Sequence, residues 1–266
     1  MIFLWAIVRI LYYSILAVFL LKCVIKLTFR PCRSKVCLLG KIAIVTGGNR
    51  ENSVKEVYES EEKIDILINN AGTVMEQNGF TKDGLHQTMQ INTFGPFLLT
   101  HLLIAFVNNL TLENLNAKSE DKSTNIMRVT KIYANTKLTQ LIISNEFAER
   151  LRPFGITSNA VHPGLVKTGI FNKLYDRKVL LILTAILLRS VLCLFGKTPE
   201  EGAQRPLKLA ISNRYKNISG IFLWNFFMCD VNIAPPCVKN KEFRRQIWRQ
   251  IEECVGLGEN EIINLN

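Results

Sequence analysis

The chain has 266 residues, 48% of them apolar and 21% charged. That is enough for one α/β domain with a sizeable core, and it excludes a disordered chain. The formal net charge of +11 is concentrated in Lys22, Lys26, Arg30, Arg33 and Lys35 after the first apolar run, and in Lys239, Lys241, Arg244, Arg245 and Arg249 near the end. Charge placed beside apolar segments suits an anionic lipid membrane. Nucleic acid is not expected as a partner, because no basic stripe interleaved with aromatics crosses the middle of the chain. Seven scattered cysteines, odd in number and without a CxxC pair, read as reduced thiols facing the cytosol. No metal site is expected.

Residues Ile2 to Leu21 form an apolar run broken only by Arg9. About twenty residues at 1.5 Å each cross a hydrocarbon layer of roughly 30 Å. A cleaved signal peptide should carry its charge ahead of the apolar core, and here the charge follows it. The run therefore reads as a retained anchor, with an interfacial helix as the alternative. The positive-inside rule places the basic flank and the following domain in the cytosol. The expected organisation is a membrane anchor over 1–28, a basic linker over 29–39, a catalytic-type domain over 40–238, and a basic amphipathic helix and tail over 239–266.

Lys41 to Thr46 reads as a buried strand followed by Gly47-Gly48-Asn49, and 53–61 as a polar helix. Ile64 to Asn69 is a second buried strand, ending in Asn70-Ala71-Gly72. Gly84 to Leu103 reads as helix with a break near Gly95-Pro96, and 108–125 as loop. Ile132 to Leu151 is a helix closed by Pro153 and Gly155. Ile156 to Val161 is a third strand, running into His162-Pro163-Gly164. The apolar run 179–195 reads as a helix that covers substrate or touches a membrane. Pro199 to Ile211 is a helix and Gly220 to Trp224 a fourth strand. Phe243, Ile247, Ile251 and Val255 recur every four residues, the mark of an amphipathic helix that packs on the domain. Strands alternating with helices imply a mainly parallel sheet, with ligands bound beyond the carboxyl ends of its strands.

Tyr133 and Lys137 lie one helical turn apart, on one face. A free tyrosine has a pKa of about 10, too high for efficient proton transfer at neutral pH. A neighbouring ammonium lowers it, so that the tyrosine can exchange a proton with an alcohol or carbonyl oxygen. Taken alone, such a pair is more often a solvated helix face. Other motifs accompany it in order: Thr46-Gly47-Gly48, Asn69-Asn70-Ala71-Gly72, Asn92-Thr-Phe-Gly95, then Pro163-Gly164-Leu-Val-Lys-Thr168. The series resembles the short-chain dehydrogenases. Asp65 to Gly72, Asn114-Leu-Asn116, Asn159 to Gly164 and Lys197 to Ala203 resemble their retinol-dehydrogenase branch, over about Gly40 to Gly220.

The resemblance implies a Rossmann-like α/β fold and interconversion of a lipophilic alcohol with its aldehyde or ketone at a membrane, the endoplasmic reticulum being the expected one. It implies a nicotinamide cofactor, NADP(H) being favoured over NAD(H). Carried over by position, Tyr133 is the acid/base, Lys137 lowers its pKa and binds the nicotinamide ribose, and Asn92 holds the helix and the proton relay. Thr46, Gly47, Gly48, Asn70, Ala71 and Gly72 serve the adenosine and phosphate side, and Pro163, Gly164 and Thr168 the nicotinamide end.

Two departures accompany the resemblance. The family's turn T-G-x-x-x-G-x-G is not completed, since no glycine follows Gly48 before Gly72. Family strands 2 and 3 are missing with it. A second gap, between Leu103 and Asn108, removes strand 5 and its catalytic serine. Blocks lost cleanly from a matching sequence have the character of skipped exons or a faulty gene prediction. Loss of an interior strand forces its neighbours to close up or to leave backbone groups unpaired. Two readings therefore stand: a membrane-associated oxidoreductase, and an inactive anchored remnant.

Overall fold

The computed structural model describes residues 2–27, 32, 34–47, 63–74, 79–82, 84–107, 126–167, 196–226, 229–232 and 234–257. Gly48, Thr168, the polar stretch 53–61, the segment 108–125 and the apolar run 179–195 lie outside the described residues. Helix α1, Ile2–Leu27, is apolar around its whole circumference. Its stretch Trp5–Val24, 20 residues of mean hydropathy 2.0, is long and apolar enough to cross a membrane, and none of it is buried against the rest of the chain. Arg9 places its guanidinium 5.0 Å from the Trp5 ring centroid, which gives the cation an aromatic partner where no carboxylate follows.

Strands β1 (Ala43–Val45) and β2 (Ile66–Ile68) pair in parallel, with Ile44 opposite Leu67. Both are rich in β-branched residues, which suit a pleated surface. Asp65 secures their start. Its carboxylate accepts from Lys41 Nζ at 2.6 Å and from the Ile42 N–H at 3.0 Å. A short helix α2 (Gln87–Met89) passes through a π-helical turn, Gln90–Phe94, into α3 (Gly95–Val107). The long helix α4 (Ile126–Arg150) follows, then β3 (Ala160–His162), α5 (Pro199–Ile211), β4 (Phe222–Phe226), β5 (Cys229–Asn232), α6 (Pro236–Lys239) and α7 (Lys241–Val255). β3 pairs in parallel with β4, and β4 antiparallel with β5.

The strands are shorter than the hydropathy pattern suggests, and the helical irregularity lies in the π turn just before Gly95 rather than at Pro96 itself. A β-carbon on Gly95 would stand 3.0 Å from the Gln90 carbonyl that its N–H reaches across that turn. α3 runs on through Val107, so the stretch after Leu103 is helix. β5 carries no sequence signal, because Asp230 and Asn232 are poor strand formers and its pairing comes from β4. Among the described residues the strands form two separate sheets, β1-β2 and β3-β4-β5. β2 and β3 do not pair across the space between them.

One core lies between α3, α4 and α7. Phe94, Phe97, Ile104, Ile143, Phe147, Leu151, Trp248, Ile251 and Val255 form a single buried cluster. α7 enters it with Trp248, Ile251 and Val255, and also with Arg244. The inward face thus holds the Phe243–Val255 stripe, with Arg244 and Trp248 beside it. Arg244 donates to Glu146 at 2.8 Å, to Glu149 at 2.5 Å and to the Val238 carbonyl at 3.0 Å. Removing one partner of a buried pair strands the other charge. Arg244→Leu should therefore destabilise the domain by about 3 kcal/mol, since Glu146 would keep only Arg150 at 3.4 Å. A urea midpoint equal to the parent's would remove this pair from the account.

His101 sits inside the same cluster, 2% exposed, against Phe97, Phe147 and Trp248. Neither ring nitrogen has a hydrogen-bond partner among the described residues. Burial pushes its pKa down to about 4, the Phe97 carbonyl opposes weakly without hydrogen-bond geometry, and the Arg150 charge adds to the depression. The native state therefore binds this proton less readily than the unfolded chain, whose histidine titrates near 6.5. The neutral ring is fully tolerated above pH 6.5, and stability falls as pH drops from 6.5 to about 4. The loss should approach about 3 kcal/mol, and His101→Leu should flatten that limb of a melting-temperature profile against pH.

Candidate active site

An open cleft of about 2360 Å³ runs between β2 and β3, from their amino ends near Asp65 and Ser158 to beyond the carboxyl ends of β1, β2 and β3. Gly47, Asn70, Ala71, Gly72, Tyr133, Lys137, Pro163 and Gly164 line its outer part, and Ile66, Ile68, Leu103, Ile104, Leu141 and Phe147 its inner part. Ligand pockets usually occupy about 300–1,000 Å³. This one is larger because it merges a site at the strand ends with the apolar space where the two sheets fail to meet.

Thr46 ends the first strand region and ties two turns together. Its hydroxyl oxygen accepts from the N–H groups of Asn70 and Ala71, both at 3.0 Å. Gly47 follows with φ of 86°, and a β-carbon there would meet Ala71 Cα at 2.9 Å. Only glycine meets both conditions. Thr46→Val keeps the β-branch but removes the acceptor. It should lower stability by about 1–2 kcal/mol in chemical denaturation, and an unchanged transition would show the bonds to be idle.

Asn92 is fully buried in the π turn. Its Oδ1 accepts from the Thr73 N–H at 2.8 Å, and its Nδ2 donates to the Thr73 carbonyl at 2.9 Å and to Thr136 Oγ1 at 3.1 Å. Thr136 in turn donates to the Tyr133 carbonyl at 2.7 Å. The loop after β2, the π turn and the turn of α4 bearing Tyr133 are thus held by one carboxamide.

Tyr133 and Lys137 do share a face of α4, with Nζ 5.6 Å from the tyrosine ring centroid. Lys137 donates to Gln140 Oε1 at 3.0 Å. Gln140 Nε2 donates to the Asn92 carbonyl. Burial pushes the Tyr133 phenol up and the Lys137 ammonium down. The direction at the phenol is opposite to the expected lowering, and burial is its cause. Gly72 faces the pair, and a β-carbon there would lie 3.4 Å from Lys137 Nζ.

At the far end, Gly164 has φ of 93° and donates its N–H to His162 Nδ1 at 3.1 Å. Lys197 Nζ donates to the Pro163 carbonyl at 3.1 Å, binding the start of α5 to this loop. Burial, then the charges of Lys197, Arg205 and Lys137, hold the His162 pKa below its usual value. Sequence reasoning missed Thr73, Thr136, Gln140, His162 and Lys197 as site residues. Lys197, inside the Lys197–Ala203 motif, and His162, inside the Asn159–Gly164 motif, carried a signal. Gly48 and Thr168 lie outside the described residues, so the structure brings together Thr46, Gly47, Asn70, Ala71, Gly72, Asn92, Tyr133, Lys137, Pro163 and Gly164.

A family model described as enoyl-(acyl carrier protein) reductase matches residues 45–220. The chain belongs to the short-chain dehydrogenase/reductase family. It is 31% identical over 216 residues to human dehydrogenase/reductase SDR family member 13, covering 76% of this chain and 55% of that protein. It is 29% identical over 222 residues to human retinol dehydrogenase 14, covering 76% and 62%. Human retinol dehydrogenase 13 is 27% identical over 235 residues, covering 78% and 65%. The chain thus spans less than two thirds of these curated relatives. A crystal structure of an uncharacterised protein from Mycobacterium paratuberculosis superposes with a TM-score of 0.51 at 21% identity, over 76% of this chain and 70% of that one. That likeness shows the fold alone. The retinol-dehydrogenase-like, Rossmann-type identity expected from the motifs is the one these matches support.

Proposed function

We propose that this chain is a membrane-associated oxidoreductase that interconverts a lipophilic alcohol and its aldehyde or ketone with a nicotinamide cofactor, NADP(H) rather than NAD(H). The observation that carries the reading is that Tyr133 and Lys137 line the same cavity as Gly47, Gly72 and Gly164. A group with extended phosphates fits beside residues that present backbone without side chains. Gly47, which a β-carbon would drive into Ala71, is such a place. Thr46, Gly47, Gly48 and the Asn70–Gly72 loop would flank the adenosine and phosphate side. Pro163, Gly164 and Thr168 would border the nicotinamide, and Lys137 the ribose. The cofactor supplies or accepts the hydride.

The chain's own part is the proton. With its pKa raised by burial, Tyr133 begins protonated at neutral pH, the form that donates to a carbonyl oxygen. In reduction its O–H bond breaks as the alcohol O–H forms, and Asn92 and Thr136 keep its turn of α4 in place. The apolar inner cavity suits a lipophilic substrate. α1 serves as the anchor and 29–39 as the linker. The basic flank supports a domain on the cytosolic side, with the endoplasmic reticulum as the proposed membrane.

A second reading, an inactive anchored remnant that acts by binding or not at all, is favoured by one observation. β2 and β3 stand apart around a cavity larger than a ligand needs. On that reading family strands 2, 3 and 5 are missing and the phosphate turn cannot close. The deciding measurement is titration of the full chain in detergent with NADPH and NADH by nucleotide fluorescence. Micromolar binding is expected for the oxidoreductase, and none at millimolar nucleotide leaves the remnant. Given binding, Tyr133→Phe should reduce carbonyl turnover by at least about a hundredfold with cofactor affinity retained, and undiminished turnover would take Tyr133 out of the mechanism.

A further inference from the structure

We infer that Gln140 is a positioning residue that clamps the Lys137 ammonium to the main-chain carbonyl of Asn92. Its catalytic consequence rests on the oxidoreductase reading above. The clamp uses a carbonyl that a proline denies its α-helical donor. In an α-helix the Asn92 carbonyl would accept from the N–H of residue 96, and Pro96 has none. That carbonyl accepts from Gln140 Nε2, three residues beyond Lys137 on α4. The other end of the same carboxamide takes the lysine, with Nζ to Oε1 at 3.0 Å.

The orientation of the carboxamide is determined by chemistry. An ammonium only donates and a carbonyl only accepts, so the oxygen must face Lys137 and the nitrogen Asn92. No carboxylate among the described residues forms an ion pair with Lys137. A neutral oxygen is therefore what holds this ammonium beside Gly72 and the Tyr133 ring. A lysine has four rotatable bonds and loses its fixed position without such an acceptor. A carboxamide holds a proton donor but does not pass its proton on, which makes Gln140 a support and not a relay. The titratable groups that face Lys137 are Tyr133 one turn before it and His162 at the end of β3.

The test is the titration of Lys137 in the full chain, in detergent, by NMR of 13C-labelled lysine with the signal assigned through Lys137→Arg. Gln140→Met keeps the length and removes both contacts. It should lower the Lys137 titration by about one pH unit, and Gln140→Glu, which returns an oxygen with charge, should raise it by a similar amount. If Gln140→Met does not fold, the direction of the Gln140→Glu shift decides alone. A titration unmoved in Gln140→Glu, or in a folded Gln140→Met, overturns the clamp. In turnover, Gln140→Met should lower kcat about tenfold with little change in KM, and Gln140→Glu should move the pH profile with the lysine. Absence of nucleotide binding by the parent chain would defeat the oxidoreductase reading alone, because the titration needs no cofactor.

Discussion

The buried carboxamide of Asn92 is the constraint on which the site depends. Its three hydrogen bonds are divided between the Thr73 backbone and Thr136, so it couples the loop after β2 to the helix that bears Tyr133 and Lys137. Water cannot replace these bonds at a position with no exposure, so their loss would leave backbone groups unpaired. The π turn follows from the same need. The turn carries the carboxamide, Pro96 cannot give the Asn92 carbonyl its α-helical donor, and Gln140 donates to that carbonyl. π turns of this sort commonly mark functional positions because the surrounding contacts must offset the strained helix.

Around that centre the domain is held more firmly on one side than on the other. α3, α4 and α7 share one aromatic core, and the Arg244 pairs with Glu146 and Glu149 lock α7 in place. On the other side the two sheets do not join. Their facing strands border an apolar cavity instead of a neighbouring strand. Interiors normally pack at the density of organic crystals, so a space of this size weakens dispersion contacts over a wide area. The helical half therefore carries more of the stability, while the chemistry sits at the seam between the halves.

Much of the architecture was legible in the residues. Helix Pro199–Ile211 reads directly from Thr198, Pro199 and Glu201, and the structure shows the capping box that those residues make. The parallel character follows from short apolar strands separated by helices. The motif order from Thr46 to Gly164 pointed to the family that the comparisons show. β5 was not legible, because Cys229 to Asn232 extends only by pairing with β4. The apolar stripe of α7 packs on the domain as expected, but it did not reveal that Arg244 is buried beside it against two carboxylates on α4.

By itself, the sequence determined the anchor-like α1, the family, and the placing of Tyr133 and Lys137 on one helical face. These depend on local spacing and composition, which the chain carries wherever it folds. Tertiary structure alone decided that Asn92 spends its side chain on Thr73 and Thr136, that Gln140 joins it to Lys137, and that burial raises the Tyr133 pKa. Those outcomes depend on distances between residues as many as 48 positions apart and on how much water burial removes. Neither quantity is written in local sequence.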